Sequence, residues 1–94
     1  MDRIMRIEIM EEKLNAATAA VRELERALEG YLDVQEDILA LEEYLSGDER
    51  RGDLAADEAG LLPPSLRRGV LSEDSIYGLL EENGELRGRM KTLF

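Results

Sequence analysis

Apolar residues recur at three- and four-residue steps through the first third of the chain: Ile7, Met10, Leu14, Ala17, Val21, Leu24, Leu28 and Tyr31. That is a heptad a/d stripe, and it predicts an amphipathic helix of the coiled-coil kind. Residues 2 to about 46 contain no proline and are dominated by Ala, Leu, Glu and Arg, which are strong helix formers. A second series, Tyr31, Val34, Ile38, Leu41 and Leu45, continues the pattern after a slip: the steps from Leu28 to Tyr31 and from Tyr31 to Val34 are both three. Two arrangements account for the slip. A stammer overwinds a continuous helix locally. A break near residues 30–33 instead uses Gly30 as the residue after a first helix, with Asp33 and Glu36 forming the start of a second.

Residues 47–71 lose the periodicity. Gly47, Gly52, Gly60, Pro63, Pro64 and Gly69 punctuate them, which predicts an irregular connecting segment. Short helical pieces fit inside it: Asp53 can cap 54–59 with Gly60 as the stop, and Pro64 can open a turn that closes at Gly69. Leu61, Leu62, Leu66, Val70 and Leu71 give this segment apolar anchors. A final helix is expected over 72–92. Ser72 serves as its N-cap, Leu71 and Ile76 as a hydrophobic staple, and Glu73 and Asp74 lie in the first turn. Arg87, Arg89 and Lys91 suit its C-terminal dipole. Gly78, Gly84 and Gly88 weaken this helix by about 1 kcal/mol each relative to Ala, so it depends on packing. The expected architecture is a single all-α domain. A long N-terminal helix, an irregular connection and a C-terminal helix packed back on it form a coiled-coil-like unit.

At 94 residues the core is thin, and pairing with another helix would supplement it. Cysteine and histidine are both absent. The usual zinc, haem and iron–sulfur ligand sets are therefore out of reach, as are Cys–His and Ser–His–Asp catalysis. Twelve basic against 22 acidic residues leave a net charge of −10, which repels nucleic-acid phosphate and anionic lipid. No apolar run approaches the roughly 20 residues needed to span a bilayer. The first eight residues are charged throughout and lack the apolar middle of a signal peptide. A cytoplasmic protein with no cofactor, no direct nucleic-acid binding and no membrane is expected.

Residues 53–82 carry a recognisable pattern. Asp57, Glu58, Gly60, Leu62, Pro63, Leu66, Gly69, Val70, Leu71, Ser72, Glu73 and Asp74 are followed by Tyr77 and the pair Leu79-Leu80. This resembles the D-E-x-G-x-L-P…G-V-L-S-E-D signature of the bacterial domain-of-unknown-function family 4298, a family of short acidic helical proteins. The resemblance extends over nearly the whole chain. It departs at Leu45, the second place of a paired-aromatic site, and at Gly52, where relatives hold a larger residue. It implies a bacterial, cytoplasmic origin and no particular activity.

The charged clusters have bland readings beside functional ones. Asp53, Asp57 and Glu58 lack the calcium-loop pattern, and capping with solvated charge outweighs metal binding. Arg67-Arg68 beside Gly69 matches no phosphate loop, and salt bridges to nearby acids are the stronger reading. Ser72-Glu73-Asp74 reads as capping rather than as an acid–base pair. Asn83, at a core position among aliphatic residues, can fix register or lie at the stripe's edge. From Asp33 to Glu43 there are five acids and no base, a face for a basic partner or a solvated surface. The candidate partner-binding residues are Asp33, Glu36, Asp37, Asp57, Glu58, Arg67 and Arg68. The expected function is protein–protein interaction as an adaptor or regulator that is not an enzyme, with a homodimer among its arrangements. The alternative is an acidic nucleic-acid mimic that occupies a basic protein's groove.

Overall fold

The computed structural model describes residues 2–94. It contains four α-helices and, among the described residues, no strand: α1 (Arg3–Asp33), α2 (Gln35–Ser46), α3 (Asp48–Glu58) and α4 (Ser75–Leu93), with a 3-10 turn at Gly69–Leu71 before α4. The chain divides into two units, one ending at Gln35 and the other running from Glu36 to Phe94.

The first unit is α1. Asp2 caps it, its carboxylate accepting from the Met5 N–H at 2.7 Å. The slip in the apolar pattern is a break, and it falls at Val34. This residue leaves helical geometry (φ −100°, ψ 8°), and its N–H donates to the Tyr31 carbonyl at 3.3 Å. The Gln35 side-chain amide donates to the same carbonyl at 2.8 Å, giving it a second and shorter hydrogen bond where the helix ends. Gly30 therefore lies inside α1 and does not stop it, and Asp33 is its last residue, not the N-cap of α2.

In the second unit, α2 and α3 are joined by Gly47 alone. A Cβ there would stand 3.1 Å from the Glu43 carbonyl oxygen, so the sharp joint leaves little room for a side chain and favours glycine. The expectation of irregular structure from residue 47 is corrected by α3. The helix begins at Asp48, five residues before the proposed Asp53 cap, because Gly47 takes the N-cap place and Asp48 and Glu49 favour the positive end of the dipole. It ends as expected at Gly60, which adopts φ +72°. The Gly60 N–H donates to the Asp57 carbonyl and the Leu61 N–H to that of Ala56, the paired bonds of a Schellman motif.

Beyond it, Leu66 N–H closes a turn onto Pro63, and the 3-10 turn starts at Gly69 where the Pro64 turn was expected to end. The N-cap role proposed for Ser72 is also corrected. Its hydroxyl donates backwards to the Gly69 carbonyl at 2.8 Å, closing the 3-10 turn, and α4 begins at Ser75 behind Asp74. Two residues, Glu73 and Asp74, thus separate the motif's Ser72 from the helix it was expected to start.

Among the described residues one side chain is fully buried: Ile76, 3% exposed, in the first turn of α4. Leu41 of α2, Val70 of the 3-10 turn and Leu79 line the same groove as Ile76. Leu45 shares a second hollow with Tyr77 and Leu80. The C-terminal helix returns to the helical region through these first turns, whereas Leu86, Met90 and Leu93 further along it remain exposed.

Truncation of Ile76 to Ala is expected to cost about 2–4 kcal/mol, and Gly60→Ala about 1–2 kcal/mol through the left-handed backbone. Urea unfolding followed by circular dichroism measures both.

Candidate functional site

The longest uncovered apolar surface lies on α1. Ile7, Met10, Leu14, Val21, Leu24 and Leu28 are all exposed, from 48% at Leu28 to 65% at Val21. Ile4 and Leu32 flank the stripe and are exposed as well, while Tyr31 at its end is half-buried. No residue of α1 is buried. Covering a large aliphatic side chain contributes about 1.5–3 kcal/mol when it goes from open water to full burial. With each residue about half exposed, covering the six is worth on the order of 1 kcal/mol apiece.

Little else in α1 compensates for that exposure. None of its acids has a basic residue four positions later, and Glu8 and Glu12, Glu25 and Glu29, Glu29 and Asp33, and Arg22 and Arg26 are like-charged at that spacing. The opposite-charge pairs Arg22–Glu25, Glu23–Arg26 and Arg26–Glu29, three apart, add only a few tenths of a kcal/mol each. Its last turn holds no basic residue to meet the helix dipole. Helices in water draw most of their stability from packing an apolar face. A stripe this long and this open is therefore the surface on which another helix would act most strongly.

The second unit is held by charged and polar links around its small apolar centre. Arg50 on α3 donates to the carbonyls of Val70 at 3.4 Å and Ser72 at 3.3 Å, tying the helix to the 3-10 turn. Arg68 meets Asp57 at 2.5 Å, both partly buried, which closes the loop between α3 and the turn. Arg51 pairs with Asp48 on the exposed side of α3. Tyr44 on α2 donates its hydroxyl to the Asp53 carboxylate on α3 at 2.6 Å. That bond, aided by desolvation and the carboxylate's charge, raises the Tyr44 pKa above its ordinary 10.0.

The proposed partner-binding residues divide accordingly. Asp57 and Arg68 are brought together as a structural ion pair. Glu58 is exposed at the end of α3, and Arg67 is exposed beside the groove that holds Ile76. Asp33 ends α1, and Glu36 and Asp37 open α2. On α2, Glu36 and Glu43 are seven apart and share one face, while Asp37 and Glu42 point elsewhere, so the acids make no single charged face. Sequence reasoning missed Arg50 and the Tyr44–Asp53 bond. The nine-residue spacing of that bond spans a helix joint that the pattern did not reveal. Among the described residues, no group of three His, Cys, Asp or Glu side chains is placed to hold a metal ion. No helix among them is long and apolar enough to cross a membrane.

The model of the family described as Domain of unknown function (DUF4298) matches residues 7–93. The chain belongs to this family. The match takes in both the α1 stripe from Ile7 and the α4 helix to Leu93, so the DUF4298 unit includes the exposed stripe together with the packed second half. No curated protein and no solved structure matches the chain.

The Tyr44 hydroxyl is a donor only while protonated, and its folded pKa is raised. The stabilisation from this bond is therefore fully present below pH 10 and is lost as pH rises through the raised value. Asp53→Asn removes the negative acceptor and is expected to bring the Tyr44 ionisation back towards pH 10, read as phenolate absorbance in an alkaline titration.

Proposed function

We propose that this DUF4298 protein is a helical interaction module, an adaptor or regulator that binds another polypeptide along the α1 stripe and catalyses no reaction. The observation that carries this reading is the exposure of the six large stripe residues on one helix. The absence of cysteine and histidine supports it by removing the common nucleophile–base pairs and soft metal ligands. A cytoplasmic setting, the expectation from the cysteine-free composition and the charged N-terminus, belongs to the same reading. Asp33, at the end of α1, would sit at the polar margin of such a contact, where charge guides the choice of partner more than it adds affinity.

A second reading, the acidic nucleic-acid mimic, is favoured by one observation. Seven basic and 14 acidic residues follow Gln35, so the second unit carries −7 of the −10 net charge. The scatter of the α2 acids over several faces weighs against it.

Salt and substitution separate the two. Leu24→Asp together with Leu28→Asp is expected to abolish association through α1 and to lower the helical circular dichroism signal. Raising salt should leave that association intact, because apolar docking does not depend on counterions. If the double variant behaved as the native chain while partner binding collapsed between 50 and 200 mM salt, the mimic reading would replace this one.

A further inference from the structure

We infer that the occupant of the α1 stripe is a second copy of α1, running antiparallel, so that the protein is a dimer; this rests on the reading of the stripe as the interaction surface. The heptad letters place Ile7, Leu14, Val21 and Leu28 at a and Met10, Ala17, Leu24 and Tyr31 at d. A two-fold axis near residue 19 brings each a position opposite a d position of the other copy, because the pairs Ile7–Tyr31, Met10–Leu28, Leu14–Leu24 and Ala17–Val21 all share one sum. The layers then match in size. The smallest core residue, Ala17, faces the β-branched Val21 of the second copy. The crossing point is made of Ala17, Thr18, Ala20 and Val21, so the backbones can approach closely at the centre. The contact is isologous, as closed dimers require.

Ile4 and Leu32 sharpen the orientation. Both occupy e positions, and both are well exposed, at 70% and 61%. Antiparallel pairing sets Ile4 of one copy beside Leu32 of the other at both ends of the contact. A parallel pair leaves Ile4 at the edge and opposes Ala17 to Ala17, where a gap results. Its one gain is Arg6 beside Glu11 of the other copy, and exposed ion pairs contribute little.

Area and charge fit a second copy. The eight exposed stripe and flank residues at roughly 80 Å² each supply about 640 Å², most of the ~800 Å² that one partner gives to a standard interface. Helix α1 has five basic and seven acidic residues, a net −2, so two copies of it meet with far less repulsion than the −10 of the whole chain would suggest.

One like-charged pair results: Glu11 beside Glu25 of the other copy, twice in the dimer. It provides the test. Glu25→Lys turns both contacts into attractions and is expected to tighten the dimer roughly three- to tenfold in sedimentation equilibrium of the full chain. Glu29→Lys makes the same change in net charge at an outward b position and should leave the constant near the native value. In a parallel pair residue 25 faces Ala20, and Glu25→Lys would do no more than Glu29→Lys. The chain has no cysteine, so introduced thiols report cleanly. Mixing Met10→Cys with Leu28→Cys chains should give the mixed disulfide under oxidation, with little Met10–Met10 cross-link.

A dimer tightened selectively by Glu25→Lys supports the inference. A monomer at every concentration overturns it, as does a dimer with equal responses to both lysines or one that cross-links through position 10 alone. If the chain is monomeric yet Leu24→Asp with Leu28→Asp still lowers helicity and abolishes binding to another protein, self-pairing falls and the interaction reading stands. If that double variant changes nothing, the reading of the stripe falls with it.

Discussion

Burial of Ile76 is the contact on which the second half of the molecule depends. It is the one fully buried side chain among the described residues, and four pieces of chain converge near it. Helix α2 supplies Leu41, the 3-10 turn supplies Val70, and α4 supplies Leu79 and the isoleucine itself. Helix α3 reaches the same turn through the Arg50 side chain, which holds the carbonyls on either side of Leu71. A centre this small leaves the hydrogen bonds around it with a larger share of the work. The Arg68–Asp57 pair and the Tyr44–Asp53 bond each join elements that share little apolar surface.

The two units solve the same problem in opposite ways. Residues 36–94 fold onto themselves around a small apolar centre and carry −7 of the −10 net charge. Helix α1 is nearly balanced in charge and leaves its apolar face open. Together these features put the longest helical apolar stripe in one unit and the larger share of the charge in the other. That division is why the stripe, rather than the acidic residues, carries the functional reading.

The helical architecture was legible because periodicity is a local property. The α1 stripe, the existence of α4 and the Gly60 stop follow from spacing and from glycine's access to positive φ. The break after Tyr31 was visible as a slip, but its position was not. Gly30 looked like the natural stop, whereas the chain stops at Val34, where Gln35 adds a hydrogen bond to the Tyr31 carbonyl. Helix α3 was hidden for a related reason. Its glycines at 47 and 52 weigh against a helix one residue at a time, while what sustains it is tertiary: Arg50 on the turn and Asp53 on Tyr44. Ser72 misled because a hydroxyl ahead of an apolar run suits a cap, yet the nearer Gly69 carbonyl took it. Of the charged residues singled out, Arg68 and Asp57 found each other, as the salt-bridge reading expected.

The single-residue joint at Gly47 has a consequence for how the chain can change in length. With Gly47 as its whole connection to α3, α2 has no slack at that end. One residue inserted or deleted within its 12 would swing the downstream face by about 100° and carry Leu41 or Leu45 away from α4. Between Gly60 and Gly69 the backbone is irregular, and an extra residue there can be looped out beside the Arg68–Asp57 closure. Length variation should therefore collect in that loop and spare the helix before it, giving the molecule one tolerant stretch and one fixed spacer.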